Sequence, residues 1–170
     1  TNAPLGVTYS GFVNGQDTNL LSGSVELSTE AGTNSPVGDY AIEVGPGTLS
    51  VADTNYSLGL VAGTITVTQA VLTVSVDDQW RLYGATNPPF TGQVGGILNE
   101  DVIVATYSTA AEPASPVGAY EILPGLMGEA LTNYFVITNV GTLTVTPAPL
   151  GVTADNKSRS YGGVDPPFTG

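Results

Sequence analysis

GTITVTQAVLTVSVDDQWRLYG (63–84) recurs as GTLTVTPAPLGVTADNKSRSYG (141–162), an offset of 78 residues. A repeat outranks any single element, because a repeated unit sets the architecture. The match extends outward from this stretch. SPVGDYAIEV (35–44) returns as SPVGAYEIL (115–123), and Asn55-Tyr56 returns as Asn133-Tyr134. TNAPL (1–5), TNPPFTG (86–92) and DPPFTG (165–170) are three copies of one segment. Thr1 and Thr86 are 85 residues apart, so the first copy carries inserted residues, mostly between Gly11 and Ser35.

In this frame residues 70–147 form one complete unit. It opens on LTVSVDDQWRLYG (72–84) and closes on GTLTVT (141–146). Residues 1–69 form a unit lacking its first strand, and residues 148–170 carry the first strand of a third copy. The chain starts and stops at one phase of the repeat, as an excised stretch of a longer array would.

Period-two alternation predicts strands at Ser24–Ser28, Tyr40–Val44, Tyr56–Leu60, Thr64–Thr68 and Leu72–Val76. The second copy gives Val102–Tyr107, Tyr120–Leu123, Tyr134–Thr138 and Thr142–Thr146, and the third begins with Leu150–Ala154. Val, Ile, Thr and Tyr dominate these segments and suit a pleated, half-buried surface. Gly63 and Gly141 sit where a hairpin would turn into the last strand. Asp17 offers an N-cap to a short helix at Asp17–Leu21, with Asn99–Ile103 as its counterpart. The expected fold is all-β: tandem Ig-like β-sandwich modules, with a β-grasp carrying one short helix as the alternative. Short joints at Thr68-Gln69-Ala70-Val71 and Thr146-Pro147-Ala148-Pro149 would restrict bending between modules.

Composition narrows the function. Charged residues are only 11% of the chain, so Thr, Ser, Asn and Gln must supply the polar surface. Three Lys and Arg against fifteen Asp and Glu give a net charge of -12. Such a surface repels nucleic acid and anionic membranes, whose binding rests on basic side chains. The chain has no Cys, which removes disulfides, thiolate metal sites and thiol catalysis. It has no His, which removes the commonest general base and metal ligand. No apolar run is long enough to span a membrane.

The ordered set of motifs then resembles a known family. Tyr83-Gly84 and Tyr161-Gly162 are followed by NPPFTG and DPPFTG. YSGFVNG (9–15), SPVG-x-Y, Asn-Tyr and GTxTVT complete the set. Together they resemble the MBG repeats (mostly β, glycine-rich, YGX type), over almost the whole chain. That resemblance implies tandem arrays in large bacterial surface and secreted proteins, adhesin-like ones among them. It implies an extracellular structural or adhesive role and brings no catalytic residues. The first copy departs at Ala3 and Leu5, where the others read Pro and Phe.

Tyr40, Tyr56, Tyr83, Tyr120, Tyr134 and Tyr161 recur in equivalent places, which favours a shared packing role over ligand stacking. Asp77-Asp78 and Asp155-Asn156 lie near module junctions, where oxygen ligands can hold Ca²⁺. No EF-hand or nonapeptide signature accompanies them, so turn-forming acids are the expectation and no metal is assigned. Lys157 is replaced by Gln79 in the preceding copy, which rules out an isopeptide staple as a general device. Asn55 and Asn156 each head an N-x-S sequon. Glu100-Asp101 are neighbours, and neighbours on a strand point to opposite faces. No enzyme activity, catalytic residue or cofactor is expected. Trp80 is the only Trp and its counterpart in the next copy is Ser158, which marks it as the first residue to mutate in a binding test.

The expected function is an extracellular structural repeat forming a stalk, fibre or filament, with strand complementation between units as its mode of assembly. The alternative is an adhesin module for a glycan or protein ligand. Expected partners are copies of the chain or adjacent repeats, with no nucleic acid and no membrane insertion.

Overall fold

The computed structural model describes residues 4–167. Its strands in chain order are β1 Leu21–Ser22, β2 Glu26–Thr29, β3 Gly38–Gly45, β4 Ser50–Val51, β5 Gly63–Val67 and β6 Ala70–Val76. They continue as β7 Gln79–Leu82, β8 Gly92–Gly95, β9 Val104–Ser108, β10 Gly118–Met127, β11 Tyr134–Asn139 and β12 Gly141–Thr146. The fold is all-β, with several sheets arranged like a sandwich.

The second repeat holds two sheets, in the orders β7-β12-β10-β9 and β11-β6-β8. The opening stretch 70–82 serves both. Its first half, β6, is the central strand of one sheet, parallel to β11 and antiparallel to β8. Its second half, β7, is parallel to β12 at the edge of the other. The break falls at Asp77-Asp78, just past the expected strand Leu72–Val76. There Asp77 N donates to Thr91 O at 2.9 Å, and Asp78 Oδ1 accepts from Thr142 N at 2.7 Å. Leu72, Val74 and Val76 alternate inward, and Ile122, Leu143 and Val145 complete a closed core.

Among the described residues, the first repeat has a counterpart of only one of these sheets. β2, β3 and β5 pair as β9, β10 and β12 do. The single β9–β10 ladder is split in two here, with β1–β4 as a separate piece. The inserted residues make the split, with Thr48 N on Ser24 O at 2.9 Å.

Two strand expectations are overturned, for one reason. Tyr56–Leu60 and Leu150–Ala154 have no regular structure. In the second repeat β6 and β11, at the corresponding positions, are each other's partners, so each lone copy lacks the strand that would hold it. The hairpin expected at Gly63 and Gly141 is absent too. β11 and β12 lie in different sheets, and the chain crosses between them at Val140. The expected helix at Asp17–Leu21 is a 3-10 turn over Thr18–Leu20, capped by Asp17 Oδ1 accepting from Asn19 N at 2.8 Å. Its expected counterpart is a turn with Asn99 and Glu100 at φ 53° and 59°.

Candidate functional site

The first repeat is less closed than the second. Ile42 is half-buried where Ile122 is fully buried, and Ile65 where Leu143 is. Ala31 is the only buried apolar residue of that repeat among the described residues. Between the remaining sheet and the irregular segments 6–12 and 56–61 runs a groove of about 480 Å³. Tyr9, Phe12, Leu27, Val44, Leu58 and Leu60 line much of it.

The groove occupies the place of β6 and β7. Gly141 shows this best. A Cβ there would lie 2.8 Å from Asp77 O and 3.0 Å from Val76, because the opening strand crosses directly over it. Gly63, its counterpart, meets only Ile42 at 3.6 Å and lies on the groove wall.

The loops around the two sites agree closely. Gly32 N donates to Ser35 Oγ at 2.8 Å, and Glu112 N to Ser115 Oγ at 2.9 Å. Tyr40 and Tyr120 each donate to a proline carbonyl, Pro36 O and Pro116 O, both at 2.8 Å. The phenol of Tyr56 accepts from Val13 N and donates to Gln16 Oε1, as Tyr134 accepts from Leu98 N and donates to Asp101 Oδ2. Phe12 stands edge-on to Tyr56, with ring centroids 6.1 Å apart.

The tail repeats the opening stretch of the second repeat. Leu150 and Val152, at the positions of buried Leu72 and Val74, are 92% and 93% exposed. Arg81 is the only buried charged or polar side chain among the described residues. Its guanidinium donates to Asn87 Oδ1 and to Glu112 O. Arg159 stands at the same repeat position and donates to Asp165, six residues on, as Asn87 is from Arg81.

The MBG domain (YGX type) family matches residues 1–66 and again 72–144. The chain belongs to the MBG domain family. No curated protein and no solved structure matches it.

Within the second MBG repeat the acids singled out in sequence serve the fold. Asp77 accepts from Thr91 Oγ1 at 2.6 Å, and Asp101 holds Tyr134 at 2.7 Å. Glu100 and Asp101 lie on a turn rather than a strand. No group of three or more metal-capable side chains occurs among the described residues. Asp155 and Lys157 are 4.0 Å apart on the exposed tail. Tyr83 and Tyr161 are exposed on their turns, unlike buried Tyr134. Asn55 N and Nδ2 both donate to Asp53, while Asn156 is exposed. Trp80 is 68% exposed. Sequence reading placed Gly63 only at an expected hairpin and did not single out Arg81. Their signal was nonetheless present: both Arg residues, and both Gly residues, stand 78 apart.

Proposed function

We propose that this chain is an extracellular structural repeat, a spacer in a stalk, fibre or filament that assembles by strand complementation between units. The joint between repeats carries this reading. Only Thr68 and Gln69 separate β5 from β6. Gln69 Nε2 donates across the joint to Thr132 O at 3.1 Å and Tyr134 O at 3.2 Å. Val37 N donates to Asn133 Oδ1 at 3.0 Å. A joint this short and this bonded resists bending, which a load-bearing spacer needs. Membership of the MBG family, typical of surface proteins, supports the extracellular placement. No helix among the described residues is long and apolar enough to cross a membrane.

Small-angle scattering tests the joint. The chain is expected to scatter as one rigid pair of modules, and Gln69→Ala with Asn133→Ala to broaden the distance distribution. A wild-type profile that already fits freely jointed modules would contradict the spacer reading.

Trp80 favours a second reading, an adhesin module, because an exposed indole on one copy only breaks the repeat symmetry. In that case Trp80→Ala abolishes glycan or protein capture while leaving the joint intact.

A further inference from the structure

We propose that Asn14-Gly15 is a self-modification site, where Asn14 loses its side-chain amide as ammonia and becomes aspartate or isoaspartate. This goes beyond the spacer reading and does not depend on how units assemble.

Asn14-Gly15 is the only Asn-Gly pair in the sequence. Both residues are exposed. They stand at φ 54° and 73° at the centre of a two-residue turn, closed by Gln16 N donating to Val13 O at 3.1 Å. Among the described residues no hydrogen bond engages Gly15 N, and nothing lies within 4 Å of where a Gly15 Cβ would be. The nitrogen next to the Asn14 side chain is therefore unshielded.

The chemistry needs only water. The Gly15 amide gives its proton to a solvent base and attacks Asn14 Cγ. The new C–N bond closes a five-membered succinimide, the Cγ–Nδ2 bond breaks, and ammonia leaves with a solvent proton. Water then opens the ring at either carbonyl. Opening at Cγ gives aspartate. Opening at the main-chain carbonyl gives isoaspartate, whose main chain is one methylene longer.

The second repeat supplies a matched turn with a different outcome. Asn99-Glu100 has φ 53° and 59°, and Asp101 N donates to Leu98 O at 3.0 Å. There the Glu100 side chain crowds the attacking nitrogen, and its carboxylate opposes loss of the proton from that nitrogen. Asn99 Nδ2 also donates a long bond to Thr33 O at 3.4 Å. One turn geometry is thus reactive in the first copy and protected in the second.

Tyr56 acts as a brake. Ring closure needs the peptide after Asn14 to rotate out of the left-handed turn, so the turn must open first. An exposed turn opens locally without unfolding the core. The Tyr56 phenol holds this one shut, accepting from Val13 N at 3.0 Å and donating to Gln16 Oε1. Isoaspartate lengthens the turn and frees it from Tyr56. The first repeat then gains a negative charge and loses a tether in one step.

Peptide mapping by mass spectrometry tests this on the full chain held at mildly alkaline pH. The Asn14 peptide is expected to gain one dalton, or three in heavy-oxygen water, and to contain isoaspartate. It should do so at least tenfold faster than the Asn99 peptide. Gly15→Glu should slow Asn14 to the Asn99 rate, and Glu100→Gly should speed Asn99. Tyr56→Phe should speed Asn14 and leave Asn99 unchanged, and Gln16→Ala, which spares the ring, should act in the same direction. An Asn14 peptide that keeps its mass in the folded chain would overturn the site. Equal rates at Asn14 and Asn99 would overturn glycine as the cause. An unchanged rate in both Tyr56→Phe and Gln16→Ala would overturn the brake.

Discussion

Tyr134 shows how much one side chain carries. Its ring is buried, and its phenol accepts from Leu98 N and donates to Asp101 Oδ2 at 2.7 Å. The Asp101 carboxylate, and then burial, push its pKa above the usual value near 10. A raised folded pKa stabilises the fold fully below the unfolded value and loses that contribution as pH rises through the folded one. Melting temperature is therefore expected to fall above about pH 10. Tyr134→Phe should lower it at neutral pH and remove the alkaline part of that decline. Asp53 works in the opposite sense. The Asn55 backbone N–H, opposed by desolvation and aided by Gln16, lowers its pKa. Its contribution is present above about pH 4 and is lost as pH falls through the lower folded value. Asp53→Asn should flatten the acid limb of the stability curve of the first repeat. The recurrence of Tyr134 at Tyr56 was legible in sequence. The burial of Arg81 was not, because it depends on the carbonyls of Glu112 and Pro113, which only the fold brings to it.

At the level of elements, alternation located most strands but could not say which would form. Tyr56–Leu60 and Tyr134–Thr138 read alike, yet only the second is a strand. The difference is its neighbour β6, a non-local partner that a local pattern cannot contain. Parallel pairing of β6 with β11, and of β7 with β12, was equally out of reach. Strand order depends on how β6 and β7 divide between sheets at Asp77-Asp78. One glycine pair separates the two states. Gly141→Ala puts a Cβ 2.8 Å from Asp77 O and should destabilise the second repeat by about 1–3 kcal/mol in urea unfolding. Gly63→Ala meets only Ile42 at 3.6 Å and should leave the stability of the free chain nearly unchanged. It should nonetheless block oligomer formation, because the added strand would cross the same spot. A Gly63→Ala chain that assembles like wild type would contradict the equivalence of the two sites.

On the scale of the molecule, the described residues hold one closed MBG repeat, one more open repeat and an exposed, irregular tail. The repeat offset alone set the frame of the two copies. It did not show that the first copy has no counterpart of the β11-β6-β8 sheet among the described residues, since strand pairing depends on a non-local partner. Two copies, each at -12, repel one another, so association belongs at moderate rather than low ionic strength. Hydrogen exchange on the full chain across a dilution series at 0.15 M salt, about an 8 Å screening length, tests the central claim most directly. Amides of 57–61 and 150–154 are expected to gain protection together as concentration rises, while β11 stays protected throughout. Both segments exchanging freely at every concentration, beside a protected β11, would contradict it.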